Sequence, residues 1–358
     1  MSLFDRFYYG KAGKRDYSEM DMPKTRVSLF FLVFKDHFFD LVKVNLLQLI
    51  FWIPFIVWTY INLIAIHSID SNALLAVEGG AQQMVSLLSS YVFSYLLGLV
   101  PCIAITGPSS AGAAYIMRNW ARDQHAFLFS DFKDAFKGNW KQALATSVLT
   151  SVIPVLAYTA IVFYSEQAGS NMIMILPMIV VLSATLMWAL MLPLIYPMMI
   201  GYELKFSALI KNALLMAAAR VPHMAIARMI TFIPIAILFG GLLIGNMLMI
   251  VGVLVYYLFF GFALSRLIYA SFANGVFDKY LNPHIEGAPM AMGLRPNMPE
   301  DDPSSMAIFC LSSAWPWYRC FFTRSMVSPA SPHRPMTPLM STSFRLSAGF
   351  SRAIAWRL

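Results

Sequence analysis

Hydrophobic and polar positions follow one another in long blocks along this chain. Six apolar runs are long enough to cross a bilayer, which takes about 20 residues in a helix. The sequence therefore predicts an all-α integral membrane protein with six transmembrane helices. We place the spans at 44–66, 84–106, 143–165, 172–200, 226–245 and 247–268, the last two divided only around Gly245–Asn246.

The segment before the first span has a mixed pattern. Between residues 27 and 43, Phe30, Phe34 and Phe38 share one helical face, and charged residues occupy other faces. A helix of this kind suits the boundary between acyl chains and headgroups. We therefore expect an amphipathic interfacial helix before span 1.

Residues 107–142 form the longest polar interruption between spans. Aromatic residues recur there every four positions and lysines follow one position later, so a helix would carry an aromatic stripe beside a basic stripe. The stripes comprise Phe132, Phe136, Trp140, Lys133, Lys137 and Lys141. Two short helices are expected, at about 109–122 and 131–142, the second lying at the membrane interface before span 3.

Arg118 and Arg122, one helical turn apart in the same segment, complete the candidate docking residues. Two guanidinium groups at this spacing could bind phosphate. In a membrane protein the favoured interpretation is that they face lipid headgroups or fix the orientation of the chain.

Composition supports the membrane assignment. The chain is 59% apolar and only 12% charged, whereas soluble domains are about 25% charged. The net charge of +8 would suggest nucleic-acid binding in a soluble protein. Here the charges lie in particular loops, so no nucleic-acid partner is predicted and the expected partner is a bilayer with anionic inner-leaflet headgroups.

The loops alternate between basic and non-basic. Residues 1–43 carry eight Lys/Arg, 67–83 none, 107–142 five and 166–171 none. The later basic residues are Lys205, Lys211, Arg220 and Arg228 around the fourth loop, and Arg266, Lys279 and Arg295 at and after the end of span 6. Because basic loops stay in the cytosol, both termini and residues 107–142 are predicted to be cytosolic.

Composition also divides the chain into four parts. Residues 1–43 are a cytosolic lead-in with the interfacial helix, 44–272 the membrane domain, and 273–303 a cytosolic segment ending in an acidic cluster. Residues 304–358 contain no Asp, Glu or Lys, and all six basic residues are Arg. Two hypotheses stand for this tail: it is translated out of frame or otherwise foreign to the fold, or it is a disordered basic tail.

A weak internal repeat accompanies the spans. Each odd-numbered span follows a Lys-Asp or Lys-Asn pair and contains Ile-Pro. The pattern favours a threefold repeat of a surface helix and a two-span hairpin. Chance recurrence in a biased composition explains it equally well.

The spans offer little chemistry. Arg228 and Arg266, near the ends of spans 5 and 6, are counted here with the flanking loops. Elsewhere the spans hold no Asp, Glu, Lys, Arg or His, which argues against a proton-coupled pump or an intramembrane protease. Asn45, Gln48 and Asn62 could bind a sugar hydroxyl, although such groups more often bond between helices.

Known catalytic patterns are missing from the sequence. It has no P-loop, HExxH or GxSxG motif, and its six histidines show no metal-ligand spacing. We therefore predict no catalytic residue, no cofactor and no metal site. Asp131 and Asp134 are expected to cap a helix rather than to catalyse.

Three stretches resemble the YesL-like family of bacterial integral membrane proteins. They are MPKTRVSLFFLVFKDHFFDLVKVNLLQLIFWIPF, TGPSSAGAAYIMRNWARDQHAFLFSDFKDAFKGNWKQA and NGVFDKYLNPHIEGAPMAMGL. The resemblance covers about residues 20–296 and is most specific in 107–142. It implies a cytoplasmic-membrane protein of uncharacterised activity, often encoded beside carbohydrate-uptake genes that include sugar permeases of the ATP-binding-cassette type. It brings no catalytic residues.

Three functions are consistent with these observations. The first is a non-enzymatic accessory or regulatory protein of carbohydrate uptake, whose partners include sugar-permease components and whose loop 107–142 docks on a partner or on the inner leaflet. The second is a transporter or permease subunit for a small, sugar-like solute. The third, a membrane-embedded enzyme, has no support beyond isolated Asp and His residues.

Overall fold

A computed structural model of the protein describes residues 22–69 and 79–295. All the secondary-structure elements within these residues are helices. The helices are α1 (Arg26–Asp36), α2 (Phe38–His67), α3 (Gly80–Ala104), α4 (Thr106–Trp120), α5 (Leu128–Ala168), α6 (Ile175–Gly201), α7 (Phe206–Ala219), α8 (Val221–Ile244), α9 (Met247–Tyr256) and α10 (Phe262–Tyr280). Predictions for residues 1–21, for the tail 304–358 and for the acidic cluster before it fall outside the described residues.

Six of the helical segments in the described ranges are long and apolar enough to span a membrane. They are Phe38–His67, Gly80–Ala104, Leu128–Ala168, Met172–Gly201, Val221–Ile244 and Met247–His284. The predicted all-α architecture with six spanning helices is confirmed. The threefold repeat and the placement of both termini in the cytosol stay predictions.

The structure has a helix break between the last two spanning segments. Gly245 ends α8 in the left-handed conformation with φ 70°, which glycine adopts without steric cost. Asn246 then begins α9, because its side-chain oxygen accepts hydrogen bonds from the backbone N–H groups of Leu248 (3.1 Å) and Met249 (3.3 Å).

The predicted interfacial helix at 27–43 is two elements rather than one. The chain breaks at His37 between α1 and α2, and the His37 ring stacks on Trp120 with 4.4 Å between ring centroids. Leu29, Val33 and Leu41 are the buried residues, and they pack on other helices of the protein. Phe30 and Phe34 of the predicted apolar face are half-buried against this cluster, and the placement of the segment at the bilayer interface stays a prediction.

The interfacial helix expected before span 3 is not a separate element. Leu128–Ala168 is one helix of 41 residues that includes Pro154. At 1.5 Å per residue it is about 60 Å long, twice the hydrocarbon thickness of about 30 Å. The first four turns of α5 therefore project beyond the apolar span instead of lying flat on the membrane.

Burial divides the molecule into two parts. The apolar windows of the six spanning segments are between 0% and 22% buried, as expected of surfaces that contact lipid. In α4, by contrast, every residue except Tyr115 is buried. We call the second part the packed end; it comprises α1, α4, the start of α5, residues 190–219 and residues 263–295.

Helix α4 reaches this position because small residues let its neighbours approach. A Cβ atom added to Gly107 would overlap the carbonyl oxygen of Ala143 and the Oγ of Ser147 in α5. One added to Gly112 would come within 2.9 Å of the Phe132 carbonyl oxygen. The Ser147 hydroxyl also donates to the Ala104 carbonyl (2.7 Å), which joins α5 to the end of α3.

Two glycines in this pair of helices make a matched test. We expect Gly107→Ala to lower the free energy of unfolding by about 1–3 kcal/mol, because the added methyl group must separate α4 from α5. Gly138→Ala should raise it by about 0.5–1 kcal/mol, because Gly138 is helical, exposed and has open space around its Cα. Thermal unfolding in detergent measures both, and equal stability of Gly107→Ala and the wild type would contradict the close approach.

Candidate functional site

Two arginines leave the end of α4 inside the packed end. Arg118 lies in the last turn of the helix, and Arg122 follows in the turn after it. Their exposed fractions are only 2% and 6%. Both side chains are therefore buried among α2, α5, α6 and α10, which all contact α4, and the expectation that they face lipid headgroups stays a prediction.

Polar residues from three other elements meet these arginines. Asp278, in the last turns of α10, forms an ion pair with Arg26 of α1. The Asn282 side chain donates to Asp278 Oδ1 (2.6 Å) and accepts a hydrogen bond from the Tyr202 hydroxyl (2.6 Å). The Ala291 N–H donates to Asp278 Oδ2 (3.2 Å), so the carboxylate is held by the chain on both sides.

The arginines themselves have few partners. The Arg118 guanidinium carbon lies 5.8 Å from the centroid of the Tyr202 ring, within the range of a cation–π contact. Its Nε and Nη1 have no hydrogen-bond partner among the described residues. The Arg122 side chain donates a long hydrogen bond, of 3.4 Å, to the Pro289 carbonyl.

Burial sets the protonation of this group. Desolvation, with a further contribution from Arg122, lowers the pKa of Arg118 to about 10. Burial likewise raises the pKa of the Tyr202 phenol to about 12, although Arg118 acts in the opposite direction. At neutral pH Arg118 is therefore positively charged and the Tyr202 hydroxyl keeps its proton.

A second pair of arginines lies within the spanning helices. Arg228 donates to the Ala189 carbonyl (2.7 Å) and to the Tyr269 hydroxyl (3.0 Å). Arg266 donates to Ser110 Oγ (2.6 Å) and lies 4.7 Å from the Tyr196 ring centroid. Counting these residues with the flanking loops was wrong, because both lie inside helices and both bond to neighbouring helices.

Tyrosine rather than carboxylate is the recurrent partner of these arginines. Arg220 repeats the arrangement, with its guanidinium 5.4 Å from the Tyr280 ring centroid and its Nε donating to the Tyr280 hydroxyl (2.9 Å). The sequence did not predict these pairs, because partners such as Arg220 and Tyr280 are 60 residues apart. A basic residue within a predicted span was the one available signal.

The two stripes predicted in 131–142 separate into a buried and an exposed part. Phe132 is buried, and Phe136 packs on it and on Phe51, at centroid distances of 6.4 and 5.7 Å. Trp140 remains 46% exposed. Lys133, Lys137 and Lys141 are all exposed, and the Lys141 ammonium lies 5.7 Å from the Trp140 ring centroid.

Asn45 binds an irregular turn of the last spanning segment. Residues 257–261 form a π-helical turn, which cannot satisfy its backbone groups in the α-helical way. The Asn45 Nδ2 donates to the carbonyls of Tyr257 (2.9 Å) and Leu258 (2.8 Å), and its Oδ1 accepts from the N–H groups of Phe262 (2.9 Å) and Ala263 (3.1 Å). Its side chain therefore bonds between helices, as such groups more often do.

The other two polar span residues differ from Asn45. The Asn62 side chain donates to the Trp58 carbonyl of its own helix (2.8 Å). Gln48 is buried, and neither of its amide atoms has a hydrogen-bond partner in the described part of the chain. The structure does not bring Asn45, Gln48 and Asn62 to one binding site.

Asp131 has the capping role that was expected. Its carboxylate accepts a hydrogen bond from the backbone N–H of Phe127 (2.9 Å) at the start of α5. Within residues 22–69 and 79–295, no group of three or more His, Cys, Asp and Glu side chains could hold a metal ion.

The fold and the helix hydropathy define a multi-pass membrane protein. Residues 84–161, from α3 through α4 into α5, match a family described as "Protein of unknown function, DUF624". Comparisons with curated proteins and with solved structures gave no match. The family match covers well under half of the chain, and it includes Arg118, Arg122 and the lysine stripe.

The four hydrogen bonds of Asn45 predict a large effect of its removal. Asn45→Ala should lower the free energy of unfolding by about 2 kcal/mol, since each interhelical bond of this kind contributes about 0.6 kcal/mol in a membrane. Asn62→Ala is the matched control, with a smaller expected loss because its amide bonds only within α2. The measurement is thermal unfolding in detergent, and equal losses for the two variants would contradict the specific role of Asn45.

Proposed function

We propose that this protein is a non-enzymatic accessory or regulatory component of carbohydrate uptake, which docks on a sugar-permease partner through the start of α5. The observation that carries the proposal is an exposed basic and aromatic face at this position. It comprises Phe127, Phe129, Lys133, Lys137, Trp140 and Lys141, all of them exposed, and we call it the docking face.

The composition of the docking face suits a protein partner with acidic residues. Lys133, Lys137 and Lys141 follow one another at four-residue spacing, and like charges at this spacing destabilise a helix by a few tenths of a kcal/mol per pair. Phe127 and Phe129, each 67% exposed, add apolar area next to the lysines. Aromatic residues beside charged ones are typical of the anchors of protein interfaces.

The direction of α5 favours a protein partner over the lipid surface. Lys141 is two residues before the predicted span at 143–165 and lies at the depth of the headgroups. Lys133 is eight residues further from it, about 12 Å along the same continuous helix. A spanning helix is tilted by about 20° on average, so Lys133 lies beyond the headgroup layer, where another protein can reach it.

The link to carbohydrate uptake rests on family resemblance. The YesL-like family contains the DUF624 domain that matches residues 84–161. Members of that family are often encoded beside sugar permeases, which makes a permease subunit the partner to test first. In this proposal the packed end, both termini and the docking face are on the cytosolic side of the bacterial plasma membrane, as the basic loops predict.

Reversal of charge on the docking face tests the proposal. The triple variant Lys133→Glu, Lys137→Glu, Lys141→Glu should lose most of its co-purification with permease subunits in mild detergent, because an acidic partner surface would now be repelled. The recovery of permease subunits is compared with that of the wild type at equal amounts of membrane protein.

A matched control variant reverses the charge of three lysines outside the docking face. Lys24, Lys35 and Lys205 are exposed lysines of other elements, and the variant with all three as Glu should keep the interaction. Loss in both variants would show only a general effect of net charge. Recovery of the wild-type protein without any permease subunit would contradict the accessory function itself.

A transporter is the second candidate, and a hollow lined by both polar and apolar side chains favours it. Between α3 and α5 lies a hollow of about 440 Å³ whose lining includes Ser89, Ser94, Tyr158, Thr159 and Glu166. The Tyr158 hydroxyl donates to the Ser89 carbonyl (3.0 Å), which joins the two walls. Flux of a labelled sugar into vesicles that contain only this protein would favour transport over the accessory function.

A further inference from the structure

We propose that Arg118 and Arg122, together with the Tyr202 hydroxyl, form a binding site for a phosphate group in the packed end. The chemistry required is that of a tetrahedral oxyanion, carried either by a soluble phosphate compound or by a lipid headgroup. This site is separate from the docking face, and no property of the docking face is needed for it.

Charge balance is the first argument. Within the described residues, Asp278 is the carboxylate of this cluster, and it is already bound by Arg26, Asn282 and the Ala291 N–H. No carboxylate forms an ion pair with Arg118 or Arg122 in that part of the chain. Among the described residues, two positive charges therefore lie side by side in the interior with no carboxylate paired to either, although Asp278 is near enough to raise the pKa of Arg122.

The energetic cost of this arrangement is the second argument. An ion removed from water loses several kcal/mol of solvation unless a partner of opposite charge replaces the water. Arg118 is 2% exposed, and its Nε and Nη1 have no partner among the described residues. Desolvation and the neighbouring Arg122 both lower the pKa of Arg118, yet at about 10 it still leaves the guanidinium charged at neutral pH. A bound anion would compensate both the lost solvation of Arg118 and its repulsion by Arg122.

The surroundings of Arg118 supply the third argument. A Cβ atom on Gly201 would lie 2.8 Å from the guanidinium carbon, so the glycine lets the backbone pack directly against the charged group. The hydroxyl of the adjacent Tyr202 keeps its proton, because burial raises its pKa to about 12. Its one proton now goes to Asn282 Oδ1, and rotation of the hydroxyl would turn that proton to an anion oxygen instead. Two guanidinium groups and a phenol are the donors that phosphate oxygens prefer.

The position of the site defines its two possible sources of phosphate. Arg118 and Arg122 lie at the end of α4, outside the six spanning segments. An anion can therefore arrive from the aqueous phase or from the headgroup layer beside the packed end. Both sources present the same phosphate oxygens, and only an experiment with each of them separates the two.

The experiment uses the full chain, purified in a non-ionic detergent without added phospholipid. Thermal unfolding is followed as inorganic phosphate is added, with chloride at matched ionic strength as the reference. We expect a saturable rise of several degrees in the midpoint, because a ligand that binds only the folded state stabilises it. A parallel series adds mixed micelles of phosphatidylglycerol, with phosphatidylcholine as the uncharged reference.

Variants assign the response to the site. Arg118→Met should weaken the apparent affinity by about tenfold to a hundredfold, as expected for the loss of charge-assisted hydrogen bonds. It should also be at least as stable as the wild type without phosphate, because a buried and unpaired charge has been removed. Lys137→Met is the control, since it removes an exposed charge of the docking face and should respond to phosphate as the wild type does.

Each outcome either supports or overturns the phosphate site. Stabilisation by inorganic phosphate that Arg118→Met loses supports a soluble phosphate compound, and stabilisation by phosphatidylglycerol alone that Arg118→Met loses supports a lipid headgroup. No stabilisation by either probe, or an unchanged response in Arg118→Met, overturns it. If Arg118→Met does not fold, Arg122→Met is judged by the same responses.

Discussion

The enclosure of α4 by other helices is the constraint on which the packed end depends. A helix with protein on all sides needs small side chains where its neighbours approach, and its polar side chains must form hydrogen bonds inside the fold. Gly107 and Gly112 meet the first requirement. Ser109 and Ser110 meet the second, because both hydroxyls donate to the Thr106 carbonyl of the same helix, at 2.9 and 2.8 Å. With α4 in place, α2, α5, α6 and α10 each have a surface to pack against.

The choice of tyrosine as a partner gives this interior its electrostatic character. An aspartate or glutamate beside each arginine would hold the guanidinium in place and also cancel its charge. A tyrosine ring and hydroxyl hold the guanidinium without cancelling it. At Arg118, Arg220, Arg228 and Arg266 the second arrangement is found.

The sequence predicted the number of spanning helices, because membrane thickness imposes a length that an apolar run reveals directly. The same pattern could not show which side chains of residues 107–142 pack against other helices. Phe132 and Trp140 belong to the same predicted aromatic stripe, yet Phe132 is buried and Trp140 is exposed. The difference comes from α4, which covers the first of them. Arg118 looked like a surface residue for the same reason: its neighbours are far away in sequence.

The bonds of Asn45 also determine the order in which the molecule can be completed. Its acceptors and donors lie between Tyr257 and Ala263, 212 to 218 residues later in the chain. During synthesis the first hydrophobic segment enters the membrane long before those residues leave the ribosome. Until those residues are made, the Asn45 amide must form its hydrogen bonds with water, lipid headgroups or the insertion machinery. Final packing of the first span is thus a late, post-insertion event, and a chain truncated before Tyr257 would leave it unfinished.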